Sequence, residues 1–510
     1  MTDARFYIEE LDPASLVAVA RRGARVQMGA EARERVCASR GRVERMIEGP
    51  LPVYGVTTGF GALANTRIAA DHRLELQSSL LRSHASGMGP FMQPEVVRAM
   101  MAIRAKTLAA GYSGVRPELV DALMAFLNAG LVPAVPEHGS MGASGDLAPL
   151  AHIGLGLIGE GLVLRGGEPV PAREALEGAG LEPFRLATKE GLALINGTDG
   201  MLAMLILALE DLEVLLKTAD VTAAMSVEAL LGTDRVFRED LHLLRPHPGQ
   251  LASARNIARV LSGSPIVASH RDSPHLVQDA YSLRCAPQVY GAARDTLEHA
   301  RRVAGCELDS VTDNPVVLPD GSVESVGNFH GEPLAFVLDF LAIATSEVGA
   351  ITERRIDRML DPKRSEGLPA FLSPRPGVNS GFMIPHYTAA AIAEKNRRLA
   401  NPASTGSLPT SAMQEDHNSM GWSAGLKLRR LIDNVSRILA VEAACAAQGL
   451  DLRRPLTPGR VTSAVLERIR EEIPFIDADA FMAPHLEAAE KLVKSGTLVR
   501  AAEESSGPLR

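Results

Sequence analysis

The chain has 510 residues, 46% hydrophobic and 22% charged, a globular composition that excludes a disordered chain and leaves ample apolar material for a core. Its net charge of −8, from 53 basic and 61 acidic residues, gives no sign of a general nucleic-acid binder, which needs a basic face. Only 4% is aromatic, and the abundance of Ala and Leu favours helix packed on helix over a β-sandwich.

The first fifty residues hold short helical patterns. Residues 52–66, PVYGVTTGFGALANT, are rich in Gly and Thr and read as a loop. Helical spacing returns over Glu75–Ser83, Pro94–Gly111 and Arg116–Ala129, with Gly111 and Gly130 where a left-handed C-terminal residue belongs. Pro133 and Pro136 break the pattern, and Gly, Pro and Glu alternate over 161–187 as in a small hairpin. From Gly200 onward, apolar residues recur at three- and four-residue spacing over 201–232, 332–361, 384–399 and 423–449. The expected fold is mainly α. An N-terminal domain over 1–200 carries the Gly-rich loops, and a long antiparallel helical bundle with C-terminal helices fills 201–510. Apolar stripes of that length predict self-association.

Cys37, Cys285, Cys306 and Cys445 are scattered, with no Cys-x-x-Cys pair, so neither a zinc site nor a disulfide framework is expected. That pattern suits a cytoplasmic protein. The N-terminus carries acids where a signal peptide needs bases. The apolar run Met201–Leu209 is too short to cross a bilayer, so no membrane partner is expected.

Three motifs suggest chemistry that their context denies. GLGLIG (154–159) matches the dinucleotide fingerprint, with Glu174 twenty residues past its first glycine, but no buried strand precedes it. GWSAG (421–425) matches a nucleophile elbow around Ser423, with His485 downstream as base, yet the polar QEDHNSM before it is no strand. His270 and His275 lack a third ligand at metal spacing, so a solvated loop is the expectation.

Residues 138–152, HGSMGASGDLAPLAH, are crowded with small side chains. Ala143-Ser144-Gly145 has two readings. One is a flexible turn before a helix capped by Asp146. In the other, the Gly145 nitrogen attacks the Ala143 carbonyl carbon, an approach that only small residues permit. Loss of water closes a five-membered ring, and loss of a second water turns the Ser144 side chain into an exocyclic methylidene. No ordinary side chain is electrophilic, so a protein without a bound cofactor has to build such a group. Ala85-Ser86-Gly87 repeats the tripeptide and reads as an ordinary turn continuing the helical segment of His84.

The surroundings of residues 143–145 carry a resemblance. VYGVTTGFGALA (53–64), GSMGASGDLAPLAHIGLGLIGEG (139–161), INGTDG (195–200) and VQDAYSLRCAPQVYGA (277–292) are followed by VTDNP (311–315) and GNFHGEP (327–333). NSGFMI (379–384) and LANPASTGSLPTSAMQEDHNSM (399–420) complete the set. In content and order these motifs resemble the aromatic amino acid ammonia-lyases, which build 4-methylidene-imidazol-5-one (MIO) from Ala-Ser-Gly. The resemblance implies a mainly helical homotetramer whose sites combine residues of different subunits. It also implies no external cofactor, no metal, and elimination of ammonia from a small aromatic amino acid, through attack by MIO on the substrate's amine or its ring.

Residue roles follow from the same resemblance. Tyr54 corresponds to the base for the β-proton, Ala143, Ser144 and Gly145 to the MIO precursor, and Asn196 and Tyr281 to contacts with MIO and the amine. Arg284 corresponds to the fork that binds the substrate carboxylate. Phe329 would wall the pocket beside the polar Gln278. Ser83-His84, Met383 and Glu415, with Gln414 beside it, match the histidine-specific branch. The expected reaction is therefore L-histidine to urocanate and ammonia, the first step of histidine degradation. Thr57, where that branch often has Asn or Ser, and Met413, where Asn is common, depart from it. They keep open a phenylalanine or tyrosine lyase, or a 2,3-aminomutase.

Overall fold

Helices, short 3-10 turns included, hold 61% of the described residues, well above the share of an average globular protein. Strands among the described residues pair only in sets of two or three. The computed structural model describes residues 4–49, 52–273 and 277–510. The chain forms two compact units. One takes Met1–Leu207, Arg301–Asp339 and Pro402–Leu426; the other takes Ala208–Ala300, Phe340–Asn401 and Lys427–Arg510.

In the first unit the helix Pro94–Ala109 is buried on every face from Val96 onward except at its margins, the signature of a central helix. Pro94 and Pro117 open their helices at the position where a missing N–H costs nothing. Gly111 and Gly130 follow them with φ of 84° and 73°. The expected hairpin pairs Leu162–Arg165 with Glu168–Pro171 across Gly166-Gly167, both left-handed. The helix Arg73–His84 packs closely on Leu147–Leu157, where a Cβ on Gly154 would lie 2.9 Å from Leu81 Cδ2. Close helix packing thus accounts for the first glycine of GLGLIG. The helix of His84 stops there: Ala85 leaves it with ψ 62°, and strand Met88–Phe91 follows. Ala85-Ser86-Gly87 is therefore a helix exit and not a continuation.

The four long apolar patterns appear as Asp199–Ala229, Glu332–Leu360, Met383–Leu399 and Gly421–Leu452. Glu332–Leu360 is long and apolar enough to cross a membrane, and most of its most apolar stretch is buried within the protein. GWSAG is the first turn of Gly421–Leu452 and follows coil, not a strand. In the second unit, fully buried Arg355 and Glu442 pair beside Tyr290. Arg355 Nη1 also donates to the Ser282 carbonyl at 3.1 Å, anchoring the short helix Tyr281–Arg284.

Candidate active site

The loop after strand Pro136–His138 turns on left-handed residues: Gly142 (φ 69°), Ser144 (φ 43°) and Gly145 (φ 79°). A Cβ on Gly145 would lie 2.1 Å from the Gly197 carbonyl oxygen, so only glycine fits. That same oxygen accepts the Asp146 N–H at 2.7 Å. On the other side, Met420 N–H donates to the Met141 carbonyl at 2.9 Å and Ser419 Oγ to the Gly142 carbonyl at 3.3 Å. Trp422 Nε1 donates to the Glu137 carbonyl at 2.6 Å. The turn is clamped, which is how a non-glycine residue stays in the left-handed region.

Asp146 stands at the N-cap position of Leu147–Leu157, but its side chain makes no cap bond there, contrary to the sequence expectation. It instead accepts Gly200 N–H at 2.8 Å and Met201 N–H at 3.0 Å, at the start of Asp199–Ala229. Ser140 Oγ donates to it at 2.8 Å. Complete burial pushes this carboxyl up to about 7, against the pull of those donors.

Ser144 borders a cavity of about 670 Å³ within the first unit, whose wall also carries Tyr54, His84, Asn196 and Glu415. Sequence-separated candidates thus meet on one apolar pocket lined by Leu76, Leu80, Leu192 and Ile195. Asn196 Nδ2 donates to the Asn314 carbonyl at 2.8 Å, while its Oδ1 is buried without a partner. A buried acceptor left open costs about 1–3 kcal/mol, which an arriving donor would recover. Fully buried Arg104, paired with Asp199, holds the Asn196 backbone by donating to its carbonyl at 2.9 Å.

His84 Nδ1 lies 2.9 Å from the Leu80 carbonyl and 3.0 Å from Ser83 Oγ. A carbonyl only accepts, so Nδ1 carries the proton and the neutral ring offers Nε2 as an acceptor. Burial holds the His84 pKa below its usual value, outweighing the Leu80 carbonyl and the nearby Glu415. Glu415 accepts a hydrogen bond on Oε2 from the Thr410 hydroxyl at 2.9 Å.

Tyr54 sits in a turn closed by Val53 N–H donating to Thr57 Oγ1 at 2.8 Å and Thr57 N–H donating to the Val53 carbonyl at 2.9 Å. Val56 packs with Val43 and Val317 at its base. The Gly61 N–H donates to Tyr54 Oη at 3.2 Å, and Phe60 stands edge-on to the Tyr54 ring. Thr57 is buried against its own turn and Met413 is exposed; neither lines the cavity. The two departures from the histidine pattern therefore lie off the pocket wall.

Other expected residues do not gather at this cavity. Ala143 and Gly145 flank Ser144 without lining it, and neither Phe329 nor the exposed Gln414 borders it. Gln278, Tyr281, Arg284 and Met383 belong to the second unit. There Tyr281 is 71% exposed, and the Arg284 guanidinium lies 4.7 Å over its ring. Arg284 Nε donates to the Asp279 carbonyl at 2.9 Å. Gln278 is exposed, and half-buried Met383 opens Met383–Leu399. His270 Nε2 is within 3.0 Å of the Gly232 carbonyl; His275 lies outside the described residues.

Sequence reasoning assigned no role to Asn314 or Ser411, both on the cavity wall. The VTDNP motif marks the first. Its Asp313 pairs with fully buried Lys189 at 2.7 Å, and Asn314 Oδ1 accepts the Val326 N–H at 2.8 Å. That network fixes the carbonyl on which Asn196 hangs.

The family described as aromatic amino acid lyase matches residues 11–471. A histidine ammonia-lyase of Streptomyces avermitilis is 55% identical over 496 residues, covering 97% of each chain. One of Deinococcus radiodurans is 49% identical over 495 residues, covering 97% of this chain and 94% of its own. Among solved structures, histidine ammonia-lyase from Trypanosoma cruzi aligns with a TM-score of 0.90 at 40% identity, over 98% of this chain and 95% of that one. Tyrosine aminomutase from Streptomyces globisporus aligns with a TM-score of 0.94 at 37% identity, over 100% of both chains.

Proposed function

The chain belongs to the aromatic amino acid lyase family, and on that premise we propose that it eliminates ammonia from L-histidine to give urocanate. One observation carries the reading: a single cavity joins Ser144 and Tyr54 to the two acceptors His84 and Glu415.

We infer that Ala143-Ser144-Gly145 carries MIO, and the residues present fit it. The turn is left-handed at Ser144 and Gly145, Gly197 leaves no room for a Cβ at Gly145, and Asn196 Oδ1 is an unpartnered buried acceptor on the cavity wall. Once formed, this electrophile supplies the electron-withdrawing centre that a poor amine leaving group requires.

The chain's own residues do the rest. Tyr54, acting as the phenolate, takes the β-proton on its oxygen, which the Gly61 N–H holds in place. As the Cα–Cβ double bond forms, the C–N bond breaks and ammonia departs. Asn196 Oδ1 accepts an N–H of the substrate amine. His84 Nε2 and Glu415 accept the two N–H groups of the substrate's imidazolium ring. Phenylalanine has no such donor and would leave both acceptors unpaired, the basis for strong rejection. By resemblance, Arg284 binds the carboxylate, and Tyr281, Gln278, Phe329, Met383 and Gln414 contact substrate or MIO. The same resemblance supports a homotetramer whose sites draw on more than one subunit. The four cysteines, all free, support a cytoplasmic location.

The test is product analysis of the purified protein incubated separately with L-histidine, L-phenylalanine and L-tyrosine. Urocanate and ammonia from histidine are expected. Cinnamate, coumarate or a β-amino acid, with no urocanate, would overturn the reading.

A further inference from the structure

We propose that Thr410 is a positioning residue that sets substrate choice by aiming the Glu415 carboxylate. This rests on the histidine reading above, and Thr410 itself does not line the cavity.

Glu415 follows a tight turn, Ser411–Met413, whose three residues all have left-handed φ, 52°, 51° and 69°. L-residues avoid that conformation, and it persists only where the surroundings impose it. Here the imposing structure is a clasp. Thr410 N–H donates to the Glu415 carbonyl at 2.9 Å, and Glu415 N–H returns to the Thr410 carbonyl at 3.3 Å. Asn418, buried to 1% exposure, fills the clasp. Its backbone N–H donates to Ser407 Oγ at 2.7 Å, and its Nδ2 donates to the Leu408 carbonyl and, at 3.4 Å, to Thr410 Oγ1.

That last contact settles the direction of the Thr410 hydroxyl. An amide hydrogen occupies one lone pair, so the hydroxyl proton is free to donate, and Glu415 Oε2 receives it at 2.9 Å. The carboxylate is thereby pinned by one oxygen, and Oε1 is the one left for an incoming N–H. Oε1 stands toward Gly61: a Cβ there would lie 3.9 Å from it and 2.9 Å from Ser411 Oγ. The clasp therefore abuts the loop whose Gly61 N–H holds the Tyr54 hydroxyl. Thr410 sets the angle at which the imidazole is met, beside the residue that removes the proton.

Thr410→Val keeps the branched shape and removes the hydroxyl; Thr410→Ser keeps the hydroxyl. Steady-state kinetics with L-histidine should show Thr410→Val losing roughly ten- to a hundredfold in kcat/KM, mostly through KM, as for a lost hydrogen bond to a charged group. Thr410→Ser should stay within about threefold of the parent. In a Glu415→Ala background, Thr410→Val should add no further loss, because nothing remains to aim. Equal losses in the two backgrounds, or parental kinetics for Thr410→Val, would overturn the proposal. Should Thr410→Val unfold, Thr410→Ala carries the same expectation. If Glu415→Ala itself left histidine turnover intact, the histidine reading and this role would both fall. A loss in Glu415→Ala without one in Thr410→Val removes Thr410 alone.

Discussion

Gly145→Ala would force a Cβ to within 2.1 Å of the Gly197 oxygen and 2.3 Å of its carbonyl carbon. Both are backbone atoms, so no side chain can turn aside. The φ of 79° alone costs an L-residue about 1–2 kcal/mol. Sliding the loop off Gly197 forfeits the Asp146 N–H bond, about 0.5–1.5 kcal/mol more. The sum, about 1.5–3.5 kcal/mol, is smaller than the ~5–15 kcal/mol that holds a domain together. It falls on the loop and leaves the helices intact. The variant should keep its helical circular dichroism but make no detectable urocanate, and its peptide over residues 143–145 should retain both waters. Gly130→Ala is the matched control. Its φ is 73° with nothing within 4 Å of the added Cβ, so it meets only the left-handed cost and should keep activity. A Gly145→Ala protein with parental turnover would refute the argument that loop geometry governs the chemistry.

Tyr54→Phe keeps the ring and removes the proton-accepting oxygen; kcat should fall about 10²–10⁴-fold with KM changed little, and an unchanged kcat would exclude Tyr54 as the base. Glu415→Gln should cost histidine turnover roughly ten- to a hundredfold while moving the melting temperature by only a few degrees, since Glu415 is half-buried. Equal turnover would remove Glu415 as a substrate contact. Asp146 gives a pH signature. The carboxyl titrates near 3.8 when unfolded and about 7 when folded, so the folded protein holds a proton that the unfolded chain lacks between those values. Its contribution to stability is fully present below about 4 and is lost as pH rises through about 7. Asp146→Asn cannot titrate, so the difference in melting temperature between parent and variant should change between those pH values and level off above pH ~8. A constant difference across the range would contradict the raised pKa.

Ala286–Leu308 and Pro248–Leu261 went unread, whereas the helices that were legible have local causes. Pro94 and Pro117 announce starts, Gly111 and Gly130 announce ends, and three- and four-residue spacing marks the four long apolar helices. Tyr54, His84, Ser144, Asn196 and Glu415 were legible as motif members, and the fold brings them to one wall. What spacing cannot encode is partnership across the chain. Asp146 looks like the cap of the helix that follows it, yet its carboxylate caps one that starts more than fifty residues later. No local pattern tells that Lys189 pairs with Asp313, or that Arg104 holds the Asn196 carbonyl. The return of 301–339 and 402–426 to the first unit is equally silent, because those boundaries fall in or beside long regular helices.

The central claim is that three small residues become the electrophile of the reaction. Mass spectrometry of the proteolytic peptide spanning Ser144, taken from protein that converts L-histidine to urocanate, tests it directly. A peptide lighter than its sequence by two waters is the predicted result. A peptide of full sequence mass from active protein would contradict the account.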